Sequence, residues 1–350
     1  MGSSAGSGSS ITGWGLLSNG VEGNTWVRGR ESQKRRRGMK YDCVLEGGGI
    51  KGLGLVGAME GIEQRGFTPS HLAGTSAGAI VAGLRAAGYT PLQLRDILFD
   101  TDFNKFKDGN GFGKKLYNII RYKGVYHGDY FYRYVKELLA EKGVVYFGDL
   151  QSENNDDCRH FMYRWKFKCF VADVTRERLI TFPDDAGVYG IDPDYMEVAL
   201  AIRASMSIPI VFQPVNIKKS VLVDGGILSN YPINSWDSTV PPEWPTFGIL
   251  LDEESNKRQF KPISRWPHKY LMALFNVMMQ AHDKLNIKPG DFKYRTIRVP
   301  CGTVGGTDFD LSLAEKKFLY NNGVHAAREF LNEWSWAEYQ RWAKEVRGLV

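Results

Sequence analysis

Three glycine-bearing stretches hold the residues with chemistry to offer. Gly74-Thr75-Ser76-Ala77-Gly78 sets a serine between glycines, after the apolar His71-Leu72-Ala73 and before Ala79-Ile80-Val81-Ala82-Gly83-Leu84. Strand, sharp turn, helix is the setting in which a G-x-S-x-G turn lifts a hydroxyl clear of a sheet. A hydroxyl is a poor nucleophile until a base takes its proton. A carboxylate stands in a similar setting: Asp224 ends the apolar run Val221-Leu222-Val223 and opens the turn Gly225-Gly226. The third stretch, Gly47-Gly48-Gly49-Ile50-Lys51-Gly52, follows the apolar run Tyr41 to Glu46 and opens a helical segment. Its amides, chiefly those of Gly48, Gly49 and Ile50, suit an oxyanion. Glycine lets the backbone come close, and a helix start adds favourable potential.

The serine motif alone decides little, because Gly2-Ser3-Ser4-Ala5-Gly6 fits the same pattern in a Gly/Ser-rich tail. Context separates Ser76: three strand ends can converge at one edge of a sheet. Read together, G-G-G-x-[RK]-G, then G-T-S-A-G, then D-G-G resembles the patatin-like phospholipases, and Ala204-Ser205-Met206-Ser207-Ile208-Pro209 is similar to a further stretch of that family. The resemblance covers roughly residues 39–331. It implies a three-layer α/β/α fold around a mostly parallel sheet. It implies a Ser76–Asp224 dyad without histidine, cleaving fatty acyl esters of membrane phospholipids through an acyl-enzyme. On the same resemblance Gly74, Thr75, Ala77 and Gly78 form the nucleophile elbow, Gly47, Gly48, Gly49, Ile50, Lys51 and Gly52 the oxyanion loop, and Gly225 and Gly226 the base turn. No cofactor and no metal are implied. Lys51 stands where many members carry arginine, which keeps the charge and loses the bidentate fork. The family includes bacterial effectors switched on by signals or partners, so an activating ligand or a homo-oligomer stays open.

The elements that must position these residues follow from periodicity. Residues 40–100 read as a β-α-β-α unit, which implies right-handed crossovers and a sheet covered on both faces. Thr90-Pro91 starts another helix as N-cap and first residue. Residues 103–135 mix ten Phe and Tyr residues with lysines and arginines. They read either as a lipid-facing flap or as a cover over the core. An amphipathic helix is predicted over 129–140. Phe167–Val174 and Leu179–Phe182 read as paired strands, with Asp173 as a turn residue or a rival acid. Further on, the sequence predicts a helix over 196–205, a strand over 247–251, an apolar helix over 265–285 and a strand over 294–299. A closing helix over 312–336 is capped by Ser312 with Glu315 three residues on. Residues 39–350 read as a single α/β domain. Residues 1–38 read as a flexible leader, with Met39 as a natural start.

Composition bounds the rest. The chain has 350 residues, a net charge of +6 and 43% hydrophobic residues. Residues 1–40 hold seven cations and two anions, a surplus of five that leaves about one for the body. Nothing here calls for nucleic acid. No run is long enough to span a bilayer as a helix. Cys43, Cys158, Cys169 and Cys301 lack metal-site spacing and read as reduced thiols. The expectation is a cytoplasmic protein, peripheral to the membrane when acting. None of the six histidines (His71, His127, His160, His268, His282, His325) falls in these motifs, though a Ser-His-Asp triad remains open. Two rival readings stand. Gly47-x-Gly49-x-x-Gly52 satisfies a dinucleotide fingerprint, but Gly74-Thr75-Ser76 occupies the place where an acidic ribose ligand belongs. The chain could also be a non-catalytic membrane-surface module on a hydrolase fold, against which intact Ser76, Asp224 and the triple glycine speak.

Overall fold

The structure, a computed structural model, describes residues 38–108, 115–152, 161–252, 290–306 and 310–347, with scattered positions between 270 and 288. In chain order, β1 (Met39–Leu45) leads through a 3-10 turn at Gly49–Lys51 into α1 (Gly52–Glu63). β2 (Phe67–Thr75) leads into α2 (Ala77–Ala86) and α3 (Pro91–Asp100). Then come α4 (Lys115–Tyr122), β3 (Gly124–Tyr126), α5 (Asp129–Glu141), β4 (Phe167–Asp173) and β5 (Arg178–Phe182). They are followed by α6 (Val198–Ser205), β6 (Ile210–Phe212), β7 (Val215–Ile217), β8 (Ser220–Asp224) and β9 (Thr246–Asp252). The short α7 (Asp291–Tyr294), β10 (Thr296–Pro300), α8 (Leu313–Glu333) and α9 (Trp336–Arg347) close the order.

Eight strands form the central sheet, in the order β10-β9-β1-β2-β4-β8-β7, with β5 also on β4. The pairs β10–β9, β9–β1, β1–β2 and β2–β4 are parallel, and β5, β8 and β7 pair antiparallel. Helices flank this mostly parallel sheet in a three-layer α/β/α arrangement. Successive residues of its inner strands are buried on opposite faces, as parallel sheets require. Cys43, Leu45, Leu72, Cys169 and Val171 join the larger core, while Val44, Ala73 and Phe170 pack with Tyr231, Ile233 and Trp236.

Chain order reverses at β1: β2 lies on one side and β9 on the other. The crevice at such a switch point, beyond the carboxyl end of the strand, is where α/β sheets place ligands. The Gly47–Gly52 loop leaves β1 there. A second feature sits on β4. Phe170 pairs with Thr75 of β2 and Thr181 of β5, while Val171 pairs with Asp224 of β8 and Ile180 of β5. Because β5 holds one edge throughout, β2 and β8 must share the other, running in opposite directions.

Most sequence-predicted elements form within a few residues of their expected ends, and Thr90 makes the capping box with Gln93 that its Thr-Pro start suggests. Three differ for visible reasons. The closing helix is broken at Trp334, whose backbone turns extended and whose indole donates to the Tyr294 carbonyl, so α9 is separate. The strand expected from Tyr294 begins at Thr296, because Arg295 is buried against Asp291 and Asp237 at the end of α7. In the aromatic stretch, Phe106 and Phe131 are buried against each other, and β3 pairs with β6, a small sheet the pattern does not reveal. The apolar helix expected over 265–285 lies largely outside the described residues.

Candidate active site

Ser76 follows Thr75, the last residue of β2, and caps α2 with φ 53° and ψ −122°, a conformation uncommon for any residue but glycine. Such strain costs about 1–3 kcal/mol and persists only where surroundings over-determine it. Here the Ser76 amide donates to Ser205 Oγ at 3.0 Å, and that hydroxyl donates onward to the Phe170 carbonyl at 2.7 Å. The Thr75 hydroxyl donates to the Ser229 carbonyl at 3.1 Å. Gly78 permits the elbow to press on β1: a β-carbon there would lie 2.3 Å from the Leu45 carbonyl oxygen.

Asp224 faces this elbow from the end of β8. Its amide donates to the Ser207 carbonyl at 3.0 Å, and its Oδ1 accepts from the Gly226 amide at 2.8 Å. Asp224 is 1% exposed, and its Oδ2 is buried with no hydrogen-bond partner among the described residues. Burial pushes the carboxyl up to about 7, against the opposing pull of the Gly226 amide and the neighbouring Ser76 hydroxyl. That hydroxyl is turned onto Met206 Sδ, 3.3 Å away. Thioether sulfur is a weak acceptor. The resting hydroxyl thus spends its hydrogen bond on a poor acceptor.

The amides of the glycine loop can be accounted for one by one. Gly47 donates to the Asn230 carbonyl, Ile50 to the Gly306 carbonyl, Lys51 to Gly48 and Gly52 to Gly49. Only Gly48 and Gly49 keep amides with no acceptor among the described residues. Ile50, expected from the sequence as a further oxyanion donor, has its N–H held by the Gly306 carbonyl at 3.0 Å. Gly49 has φ +58°, and a β-carbon there would lie 1.9 Å from the Gly306 carbonyl oxygen. Lys51 is buried, with its side chain alongside Gly48 and Gly306.

With this geometry in place, the comparisons with known proteins decide the family. The description patatin-like phospholipase matches residues 43–236, more than half of the chain, from β1 past the Asp224 turn. The chain belongs to the patatin-like phospholipase family. A Bacillus subtilis (strain 168) protein named "Uncharacterized protein YqhO" is 34% identical over 313 residues, 85% of this chain and 100% of that one. "Probable lipid hydrolase 463L" of Invertebrate iridescent virus 6 is 25% identical over 198 residues, 55% of this chain and 61% of the viral protein. Among solved structures, VipD from Legionella pneumophila shares the fold, with a TM-score of 0.52 at 17% identity over 83% of this chain and 66% of that chain. Patatin-like membership supports lipid hydrolysis as the activity.

The patatin-like motifs thus meet at one sheet edge, and other candidates do not join them. Asp173 lies at the far end of β4, two rungs from Asp224's partner. Its oxygens accept from the Thr175 and Arg176 amides, the Arg176 guanidinium and the Tyr189 hydroxyl. Burial alone would raise its carboxyl, yet these donors hold it below the ordinary range. In this structure it holds the turn after β4. His71 Nδ1 sits 2.8 Å from Asp42, beneath the rings of Tyr163, Trp236 and Trp244. His127 pairs with Gln213, and His325 pairs with Glu329. His160, His268 and His282 lie outside the described residues. Among the described residues no group of His, Cys, Asp or Glu is placed to hold a metal ion, and no helix is long and apolar enough to cross a membrane.

Sequence reasoning missed the residues that hold the site together. Ser205, Met206 and Ser207 touch the elbow and the Asp224 strand in turn. Arg203, buried between the Gly128, His127 and Gln213 carbonyls, fixes that segment through the Ser207 hydroxyl. The Ala204–Pro209 stretch marked them as a group, but not what each one contacts. Asn230 and Gly306 carried no signal.

Proposed function

We propose that this patatin-like protein is a lipid acyl hydrolase of phospholipase A type, cleaving fatty acyl esters of membrane phospholipids with a Ser76–Asp224 dyad. The observation that carries the reading is the strained Ser76 set beside the buried Asp224 carboxyl, whose Oδ2 has no hydrogen-bond partner among the described residues; burial pushes that carboxyl up to about 7.

In the proposed reaction Ser76 Oγ turns from Met206 to Asp224 Oδ2 and gives up its proton as it attacks the ester carbon. The carbonyl electron pair moves onto oxygen, where the Gly48 and Gly49 amides and the field of α1 stabilise it. Collapse expels the lysolipid alkoxide, which takes the proton from Asp224 and leaves an acyl-Ser76 ester. Water then attacks that ester, Asp224 takes its proton, and the second tetrahedral species collapses. The fatty acid leaves and the proton returns to Ser76. A base titrating near 7 suits this chemistry at neutral pH better than one at the usual carboxylate value.

The test is release of fatty acid from phosphatidylcholine vesicles by the wild type against Ser76→Ala. The reading expects a loss of at least about a thousandfold, since the nucleophile is removed. Equal release by the two proteins would end it.

A further inference from the structure

We infer that Asn230 is a positioning residue that clamps the Gly47–Gly49 loop to the turn carrying Asp224, so that oxyanion donors and base move as one body. The inference rests on the dyad reading above for its catalytic consequence.

Asn230 grips the loop at three points. Its carbonyl accepts from the Gly47 amide at 3.1 Å. Its Nδ2 donates to the Gly47 carbonyl and to Glu46 Oε1, both at 3.1 Å. Glu46 is fixed in turn, because its other oxygen accepts from the Leu251 amide of β9. The other end of the clamp is short and stiff. Leu228 and Ser229 both donate to the Gly225 carbonyl, folding Asp224 to Asn230 into one compact turn. The neighbouring Ser229 carbonyl takes the Thr75 hydroxyl of the elbow. One dipeptide, Ser229-Asn230, therefore joins oxyanion loop, elbow and base turn.

Asn230 is 3% exposed. Oδ1 has no hydrogen-bond partner among the described residues and fills the space where a Gly47 side chain would begin. A β-carbon at Gly47 would lie 2.2 Å from Oδ1 and 3.2 Å from Ser76 Cβ. A displacement of loop against base by about 1 Å can cost on the order of a hundredfold in rate, which makes the clamp catalytically consequential.

Two variants test it. Asn230→Asp keeps the shape but turns the two-armed donor into an acceptor facing Glu46 and the Gly47 carbonyl. Asn230→Ser removes the arm without adding charge, and covers the case in which the aspartate variant does not fold. Amide exchange over residues 46–51 is followed without substrate, and kcat and KM are measured on a soluble activated acyl ester. The clamp predicts exchange at least tenfold faster over that segment, kcat lower by about a hundredfold and KM within threefold of wild type. Exchange unchanged in the folded variants, or kcat within threefold of wild type, overturns it. A wild type that exchanges as expected but turns over no ester would refute the dyad reading, while the exchange comparison still judges the clamp.

Discussion

Ser76 and Asp224 cap two strands that run head-on into each other along one edge of β4. Thr75 pairs with Phe170, and Asp224 pairs with the next residue, Val171. Ser76, the proposed nucleophile, follows the last rung of one strand, and Asp224, the proposed base, is the last rung of the other. Their separation is set by backbone register rather than by the reach of flexible side chains, which is how rigid elements hold reacting groups in place.

The first consequence concerns pH. With the Asp224 carboxyl pushed up to about 7, this proposed base is half protonated near neutrality. kcat/KM on a soluble ester should fall about tenfold for each pH unit below that value and level off above it. A profile flat down to pH 5 would remove Asp224 from the role.

The same shift has a stability signature of definite sign. The folded carboxyl binds its proton more tightly than the ordinary carboxyl near 3.8. The stability it contributes is fully present below that ordinary value and is lost as pH rises through about 7. The loss is about 1.4 kcal/mol for each pH unit across that window. Asp224→Asn has no such proton to lose. Its melting temperature should exceed that of wild type by several degrees at pH 8, with the gain shrinking toward pH 4. Equal melting curves at pH 8 would mean that the carboxylate is better solvated than its surroundings indicate.

The motifs were legible because each is local: a glycine turn after an apolar run needs only neighbours in sequence. Strands such as Phe167–Asp173 and the cap at Thr90 were legible for the same reason. What was hidden is what distant segments do to one another. Nothing in Gly-Gly-Gly-Ile signals that Gly306, some 250 residues on, occupies the Ile50 amide. Nothing in Asp-Gly-Gly-Ile-Leu-Ser-Asn signals that Asn230 reaches back to Gly47. The abutting of β2 and β8 needs β4 and β5 in place before it exists.

The two candidate oxyanion donors should respond differently to alanine. At Gly48 a β-carbon would clash with Leu251 Cδ1, the end of a flexible side chain, at 2.2 Å, and meet Lys51 Cε at an ordinary 3.5 Å. Gly48→Ala should fold and lose roughly 10²–10³-fold in kcat as its amide shifts. At Gly49 the positive φ and the Gly306 carbonyl both oppose a side chain, so Gly49→Ala should also lose at least about 2 kcal/mol of stability. Thermal melts alongside initial rates separate the two, and full activity in Gly48→Ala would move the hole elsewhere.

Met206 should restrain the resting hydroxyl rather than assist the reaction. Met206→Leu keeps the volume and removes the sulfur acceptor. Its kcat/KM should stay within threefold of wild type or rise. A hundredfold fall in a folded variant would give the thioether a catalytic part.

The most direct test of the dyad is covalent labelling with a fluorophosphonate at pH 8, read as adduct mass on the tryptic peptide bearing Ser76. The expected result is a single adduct at Ser76, absent in Ser76→Ala and formed at least about a hundredfold more slowly in Asp224→Asn. An adduct on another residue, or undiminished labelling of Ser76 in Asp224→Asn, would contradict the account.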